Sequence, residues 1–140
     1  MSNQASALSG TRPGKDHNGP AYILVVDDNH IVTRTLSSLL RHAGHQAVVF
    51  HSGLPALQFA QKHGPVAAII DIHLPDISGL VVTQRLRDYF GPARPILIIS
   101  GDTSMEDLNS LAHVGATYFF AKPLKAPQLV QRLNELLIHP

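Results

Sequence analysis

The side chains best suited to chemistry are carboxylates at the ends of apolar runs. Asp27 and Asp28 follow residues 22–26, and Asp71 follows residues 66–70. Unbroken apolar runs of this length are typical of buried parallel strands, and open α/β sheets bind ligands at the carboxyl ends of such strands. We therefore expect Asp27, Asp28 and Asp71 to meet at one edge of a sheet. Asp71 could equally cap the turn that follows it, a role that Asp often has.

Two more polar groups stand at the ends of later runs. Ser100 ends residues 95–100, and Lys122 follows residues 116–121. Three carboxylates brought together repel one another, which raises the pKa of at least one of them unless a cation is shared. Oxygen ligands without cysteine favour a hard ion, and Mg²⁺ fits best because it binds carboxylates, water and phosphate oxygens. A carboxylate beside Mg²⁺ and a lysine can attack phosphorus and form an acyl phosphate.

The elements that must position these groups alternate regularly along the chain. Strict alternation of strands and helices predicts a parallel sheet with right-handed crossovers and helices on both faces. Five units are too few for an eight-stranded barrel, so the predicted class is α/β, a flavodoxin-like doubly wound (βα)5 fold with strand order 2-1-3-4-5. The predicted strands are residues 22–26, 47–50, 66–71, 95–100 and 116–121, and the predicted helices are residues 30–43, 54–63, 78–90, 104–113 and 126–138.

Length and composition indicate one folded domain with a tail. The 140 residues suffice for a single domain, and their 44% hydrophobic content can fill a core. Residues 1–20 are rich in Ser, Gly, Asn and Pro, so we expect a disordered N-terminal tail. The folded domain is expected at residues 21–140.

Composition also excludes several classes of function. The absence of cysteine excludes disulfides, thiolate zinc sites and a cysteine nucleophile. No apolar run is long enough to cross a membrane and no secretory signal is visible, so we expect a cytoplasmic protein without membrane contact. The chain has 11 Lys and Arg against 10 Asp and Glu and no basic stripe, so direct nucleic acid binding by this domain is not expected.

Taken together, these residues resemble the receiver domain of two-component response regulators, the CheY-like family. The resemblance covers residues 21–138. It is carried by Asp27-Asp28, by residues 71–75 with Gly79, by Ser100-Gly101 and by Lys122-Pro123.

The resemblance implies a role for each site residue. Asp71 would be the phosphoacceptor, and Mg²⁺ would be the cofactor. The metal ligands would be Asp28, Asp71 and the main-chain carbonyl of His73, with Asp27 acting largely through metal-bound water. Lys122 would pair with the acceptor carboxylate and later with the phosphoryl group. The peptide bond between Lys122 and Pro123 would be cis, as is usual in this family.

The resemblance also implies a conformational switch. Ser100 holds the position of a hydroxyl that moves to the phosphoryl group, and Phe119 holds the position of a switch aromatic. By itself, Phe119 would be interpreted as an ordinary core residue of a strand, and Tyr118 would point to the opposite face. The signal would reach the face formed by the predicted fourth helix, fifth strand and fifth helix, which could also join two copies as a homodimer. Candidate surface positions there are Ala126, Gln128, Leu129 and Gln131.

Two positions beside the site are expected to tune dephosphorylation, namely His73 and Asp102. By resemblance, His73 could orient or obstruct the attacking water, and it could make the phosphoryl lifetime sensitive to pH near neutrality. The chain has nine histidines, but they are scattered without the i, i+4 spacing of a helical metal site. The other histidines are therefore expected to be solvated surface groups.

The expected partners are a cognate sensor histidine kinase or phosphotransfer protein and a downstream protein or output domain. The domain would catalyse only its own phosphorylation and dephosphorylation, and in that sense it is not an enzyme. One alternative is a Mg²⁺-dependent phosphatase with an aspartyl nucleophile. Such enzymes carry Asp-x-Asp after strand one, whereas this chain has Asp27-Asp28-Asn29-His30. The other alternative is a receiver-like interaction module that is never phosphorylated, against which the intact chemical positions argue.

Overall fold

Five strands build one parallel sheet: β1 (Ile23–Val26), β2 (Ala47–Phe50), β3 (Ala67–Asp71), β4 (Ile96–Ser100) and β5 (Tyr118–Ala121). Their order across the sheet is β2-β1-β3-β4-β5, which confirms the predicted doubly wound α/β class. β1, β3 and β4 are buried throughout because strands flank them on both sides and helices cover both faces. The edge strands β2 and β5 are partly exposed. The computed structural model describes residues 20–101, 111 and 113–138.

The described helices are α1 (His30–His42), α2 (Gly53–Lys62), α3 (Gly79–Phe90) and the C-terminal helix (Ala126–Ile138). The predicted ends of α1 are confirmed. Asn29 caps its start, because the side-chain oxygen accepts hydrogen bonds from the backbone N–H groups of Ile31 and Val32 at 2.9 and 3.2 Å. Gly44 follows the end of α1 with φ at 95°, a left-handed conformation that favours glycine.

The two faces of the sheet carry separate cores. Successive residues of a strand point to opposite faces, so Leu24 and Val26 of β1 pack under α2 and α3. Ile23 and Val25 pack on the other face, under α1 and the C-terminal helix. Burial of this apolar surface stabilises the fold by about 25 cal/mol per Å². At the carboxyl ends of the central strands, by contrast, the buried side chains of Asp27, Asp71 and Ser100 are polar.

Some predictions lie outside the described residues. These are the disordered tail, except for Pro20, the tuning residue Asp102, and most of the predicted fourth helix. Leu111, His113 and Val114 are helical, in agreement with the last turn of that predicted helix. Within the part of the chain that the structure describes, no helix combines the length and the apolar character needed to cross a bilayer.

Candidate functional site

The three predicted carboxylates meet at the carboxyl edge of the sheet. β1 and β3 are neighbours in register, with Val26 opposite Ile70, so Asp27 and Asp71 follow side by side. Asp27, Asp28 and Asp71 each offer one carboxylate oxygen, and these oxygens lie within 4.8 Å of one another. Asp27 and Asp71 are buried, with 0% and 3% of their surface exposed, whereas Asp28 is exposed. The cluster therefore consists of two buried carboxylates and one exposed carboxylate.

Lys122 brings a positive charge to this cluster. It directly follows β5, and its backbone N–H donates a hydrogen bond to the carbonyl of Ser100 at 2.9 Å. Its Nζ lies 3.0 Å from Asp27 Oδ2 and 3.8 Å from Asp71 Oδ2. The sequence predicted a pairing with Asp71, and the structure adds that Asp27 is the nearer partner. The peptide bond between Lys122 and Pro123 is cis, the predicted isomer.

The surroundings of Asp71 disfavour the ionised form of its carboxyl group. Burial and the negative charge of Asp27 raise its pKa from 3.8 to about 6, and Asp28 adds to this. Lys122 and a hydrogen bond from the His73 N–H lower this pKa without cancelling the increase. Burial is the larger cause of this increase, and the repulsion predicted for clustered carboxylates is the second. The hydrogen bond from His73 also means that Asp71 caps its own turn, so that the two interpretations of Asp71 do not exclude each other.

The donor set fits a small hard cation. Asp27 Oδ1 accepts a hydrogen bond from the Asn29 N–H at 2.9 Å, but the buried Oδ2 accepts none from the described residues. Its contact with Lys122 is an ion pair without hydrogen-bond geometry. A buried acceptor without a hydrogen bond costs stability, and an ion or its water would satisfy it. Because these donors are carboxylate oxygens, Mg²⁺ suits them.

Within the described part of the chain, no other metal site competes with this one. Among residues 20–101 and 113–138, no second group of three His, Asp or Glu side chains converges in this way. The prediction that the scattered histidines do not form a metal site stays a prediction.

The loop between β3 and α3, residues 72–78, closes tightly behind Asp71. The Ile72 carbonyl accepts a hydrogen bond from the Gly79 N–H at 2.7 Å. A Cβ on Gly79 would lie only 2.0 Å from the Asp71 carbonyl oxygen, so a side chain cannot fit there. This close approach fixes the end of the loop that carries His73, whose main-chain carbonyl is a predicted metal ligand.

The predicted switch residues lie on the next two strands of the sheet after the acceptor strand β3. Ser100 is fully buried at the end of β4, one residue beyond the register partner of Asp71. Phe119 of β5 is half-buried and packs against the core under α2 and α3. Tyr118 faces the opposite side, as predicted, where the Arg132 guanidinium lies 5.1 Å from its ring centroid. The sheet register thus connects the acidic cluster to both switch positions.

Two of the four candidate surface positions on the C-terminal helix were wrong. Ala126 and Leu129 are 6% and 0% exposed, and both belong to the core under α1 and the C-terminal helix. They lie three residues apart, so they share the helix face that packs on the sheet. Gln128 and Gln131 are exposed and remain candidates.

The sequence analysis missed Asp76. Its carboxylate accepts hydrogen bonds from the backbone N–H groups of Gly53, Leu54 and Ile77. The only signal in the sequence is an acid in a loop five residues after Asp71. A loop acid has many available partners, so this signal does not indicate the distant helix that Asp76 contacts.

The sequence analysis also missed a pair of histidines near the site. The rings of His30 and His51 are stacked, with centroids 3.8 Å apart and planes inclined by 9°. A ring nitrogen of His51 lies 3.3 Å from the Thr33 hydroxyl. One ring belongs to α1 and the other follows β2, so no local spacing could have predicted the pair.

Comparisons with known proteins agree with this geometry. The family model of the response regulator receiver domain matches residues 23–134. The chain is 31% identical over 118 residues to the probable transcriptional regulatory protein TcrX of Mycobacterium tuberculosis, covering 84% of this chain and 50% of TcrX. It is 26% identical over 119 residues to the polar-differentiation response regulator DivK of Brucella anthropi, covering 84% of this chain and 97% of DivK. The chain therefore spans half of TcrX and nearly all of DivK.

Solved structures of similar sequence share the architecture. A putative response regulator from Chloroflexus aurantiacus matches with a TM-score of 0.76 at 32% identity, covering 86% of this chain and 100% of that chain. The chemotaxis protein CheY4 of Vibrio cholerae matches with a TM-score of 0.76 at 28% identity, covering 84% and 99%. The match to the family model alone extends over most of the chain and includes Asp27, Asp28, Asp71, Ser100 and Lys122. The chain belongs to the response regulator receiver domain family.

Proposed function

We propose that Asp71 accepts a phosphoryl group from a histidine kinase or phosphotransfer protein, in the cytoplasm, and that this chain is the phosphoacceptor receiver of a two-component pathway. The observation that carries the proposal is the convergence of Asp27, Asp28, Asp71 and Lys122 at one edge of the sheet. Membership in the receiver family supports this class of phosphodonor. The downstream partner would be a protein or an output domain that recognises the phosphorylated state.

The proposed reaction is a transfer of the phosphoryl group to a carboxylate. An oxygen of Asp71 forms a bond to phosphorus while the bond from phosphorus to the donor imidazole nitrogen breaks. The leaving imidazole keeps the electron pair and takes up a proton, and Asp71 becomes an acyl phosphate. In the cation-free site the pKa of Asp71 is about 6, so the carboxylate is mostly ionised at neutral pH and can act as the nucleophile. Lys122, 3.8 Å away, can then pair with the phosphoryl oxygens.

Charge balance supports a divalent cation in the resting site. Three carboxylates and one ammonium group leave two negative charges in the cluster. Asp27, Asp28, Asp71 and the main-chain carbonyl of His73 would hold Mg²⁺. When bound, Mg²⁺ would supply positive charge against the phosphoryl oxygens. Asp27 and Lys122 would remain paired, which keeps the ammonium group close to the acceptor.

The added charge is the proposed trigger of the switch. Ser100 is buried at the end of the strand beside Asp71, so that its hydroxyl can donate to a phosphoryl oxygen after a small movement. Phe119 is half-buried on β5, next in the sheet, so its ring can respond to a movement of Ser100. A population shifts only where the two states make different contacts, and these two side chains provide them. The exposed Gln128 and Gln131 belong to the surface where a partner would detect the change.

Two alternatives remain to be separated by experiment. A Mg²⁺-dependent phosphatase would use the same cluster but would release phosphate repeatedly. A receiver-like interaction module would never be phosphorylated. In our proposal the chain catalyses only its own phosphorylation and dephosphorylation.

The experiment is incubation of the purified chain with acetyl phosphate and Mg²⁺, followed by intact mass measurement. We expect one phosphoryl group per chain in the wild type and none in Asp71→Asn. Asp88→Asn is the control, because Asp88 is an exposed acid in the last turn of α3, and it should retain the adduct.

The other outcomes favour the alternatives. Continuous release of phosphate without a stable adduct would favour the phosphatase. Complete absence of both adduct and turnover would favour the interaction module. An adduct that persists in Asp71→Asn would contradict the assignment of Asp71.

A further inference from the structure

The loop of residues 72–78 must hold His73 in a fixed position. The His73 N–H donates a hydrogen bond to the Asp71 carboxylate, and its carbonyl would be a metal ligand. The far end of the loop is fixed by Gly79, where a Cβ would meet the Asp71 carbonyl oxygen at 2.0 Å. The middle of the loop, between His73 and Gly79, has an anchor of its own.

Asp76 provides that anchor. Its Oδ1 accepts hydrogen bonds from the Gly53 N–H at 2.7 Å and the Ile77 N–H at 2.8 Å, and its Oδ2 accepts from the Leu54 N–H at 2.7 Å. Gly53 and Leu54 are the first two residues of α2, whose N-terminal N–H groups lack partners within the helix. The N-cap residue Ser52 makes no side-chain hydrogen bond to them. Asp76 therefore caps α2 from a loop 22 to 23 residues further along the chain.

The packing around this contact leaves little freedom. A Cβ on Gly53 would lie 2.7 Å from Cγ1 of Ile77 and 2.9 Å from Cγ2 of Val82. The loop and the start of α3 are therefore seated directly on the start of α2. Burial acts to raise the pKa of Asp76, but the backbone N–H groups of Leu54, Gly53 and Ile77 outweigh it and hold the pKa below its usual range. The carboxylate is therefore favoured in its charged form.

We infer that Asp76 is a positioning residue that fastens the β3–α3 loop to the N-terminus of α2 and so holds the His73 carbonyl in place for a divalent cation beside Asp71. This inference rests on the proposed function, since it concerns the same site. It adds a structural link between α2 and the acceptor. A loosened loop would weaken cation binding even though Asp27, Asp28 and Asp71 remain unchanged.

The rival explanation is that Asp76 only caps α2. The two roles can be separated because Ser52 can be made into a cap of its own. In Ser52→Asp combined with Asp76→Ala, the new carboxylate can accept from the Leu54 N–H, as an N-cap Asp normally does. The helix is then capped again, but the loop is not tethered.

The experiment compares the wild type, Asp76→Ala, the double variant with Ser52→Asp, and the control Asp88→Ala. Mg²⁺ affinity is measured by titrating Mg²⁺ into each protein and monitoring the amide chemical shifts by NMR. Hydrogen exchange is measured at the amides of Gly53 and Leu54. Loss of a residue that orients a ligand typically weakens metal binding 10- to 100-fold, so we expect about tenfold weaker Mg²⁺ binding in Asp76→Ala. The double variant should regain slow exchange at Leu54 but not the affinity, and Asp88→Ala should match the wild type.

The results distinguish this inference from the proposed function. If the double variant regains both slow exchange and Mg²⁺ affinity, Asp76 is only a cap and the inference is overturned. If Asp76→Ala binds Mg²⁺ as the wild type does, the inference is likewise overturned while the proposed function stands. If the wild type neither binds Mg²⁺ nor takes up a phosphoryl group, both are overturned. If Asp76→Ala does not fold, Asp76→Asn replaces it. This variant keeps the oxygen that faces Gly53 and Ile77, and we expect it to bind Mg²⁺ with intermediate affinity.

Discussion

Asp71 lies where the ionised form of a carboxyl group is disfavoured. Burial and the charge of Asp27 outweigh Lys122, so its pKa in the folded chain, about 6, exceeds the ordinary 3.8. Between these two values the folded protein binds a proton that the unfolded chain releases, so stability falls as the pH rises through this window. Asp71 therefore lowers the stability of the cation-free protein near neutral pH, while making the site receptive to a cation.

We predict that Asp71→Asn stabilises the cation-free protein near neutral pH. One pKa unit corresponds to about 1.4 kcal/mol, and the open side of the site screens part of the effect, so we expect a gain of about 1–3 kcal/mol. The gain should shrink as the pH falls below about 6 and vanish near 3.8, where Asp71 is protonated in both states. Urea unfolding at several pH values in chelator-containing buffer measures it.

Mg²⁺ provides the internal control for this prediction. Saturating Mg²⁺ should stabilise the wild type more than Asp71→Asn, because the variant has lost one carboxylate ligand. Equal stability of the two proteins at neutral pH without cations would contradict the electrostatic account of Asp71.

At the residue scale, the sequence predicted which charged groups meet but not which hydrogen-bond or ion-pair partner each of them has. Asp27, Asp71 and Lys122 could be identified because each follows an apolar run, and parallel strands bring such ends together. Lys122 Nζ lies 3.0 Å from Asp27 Oδ2 and 3.8 Å from Asp71 Oδ2. This difference depends on side-chain rotamers, which the sequence does not specify. Asp76 escaped prediction because its partners belong to a helix that precedes it by more than 20 residues.

Element boundaries were predictable wherever the chain itself marks them. β2 and the C-terminal helix have the predicted bounds. α2 ends before Gly64, as predicted, but Gly64 does not have a positive φ, and the residue after the helix, His63, is extended. A Cβ on Gly64 would meet the Phe90 ring at 2.7 Å and the Arg94 guanidinium at 2.8 Å. A larger residue here would displace both side chains, a packing effect that the sequence pattern cannot distinguish from a helix stop.

Arg87 joins three elements at the end of the molecule away from the acidic cluster. From α3, its Nη1 donates hydrogen bonds to the carbonyls of Gly91 and Arg94 at 3.2 and 2.6 Å. Its Nε donates to the Gly115 carbonyl at 2.8 Å, and its Nη2 to the Thr117 hydroxyl at 3.2 Å. The end of α3 is thereby tied to the segments that lead into β4 and β5.

We predict that Arg87→Ala destabilises the fold by about 2–4 kcal/mol, because several carbonyls lose a charged donor at once. Arg87→Lys should recover only part of this, since an ammonium group cannot reproduce the geometry of the guanidinium. Arg85→Ala, an exposed neighbour on the same helix, should change stability by less than about 0.5 kcal/mol. Thermal and urea unfolding of the three variants checks this, and equal losses in Arg85→Ala and Arg87→Ala would refute it.

At the scale of the whole molecule, the sheet order places the chemistry and the proposed output on adjacent strands. β3 carries Asp71, β4 carries Ser100 and β5 carries Phe119 and leads to Lys122. This order was predictable because five alternating units with right-handed crossovers permit few topologies. The surfaces that would receive a signal were less predictable, since burial of Ala126 and Leu129 depends on how the C-terminal helix is rotated against the sheet.

The proposed switch predicts that phosphorylation and its long-range effect can be uncoupled. Ser100→Ala leaves Asp27, Asp28, Asp71 and Lys122 intact, so the adduct should still form with acetyl phosphate and Mg²⁺. Without the hydroxyl, the phosphoryl group loses the contact that favours the activated state, because only differential contacts shift a population. The phosphorylation-dependent change in hydrogen exchange across β5 and the C-terminal helix should then shrink by at least about fivefold.

The matched control for this prediction is Ser38→Ala, which removes an exposed hydroxyl from α1 and should respond to phosphorylation as the wild type does. Phe119→Leu keeps an apolar side chain on β5 but removes the ring, and it should reduce the response in the same direction. If Ser100→Ala is phosphorylated and its β5 and C-terminal helix still change as in the wild type, the signal does not pass through Ser100. Coupling from Asp71 to the partner surface would then have to run through the Lys122 end of β5, where the ammonium group already lies between the two buried carboxylates.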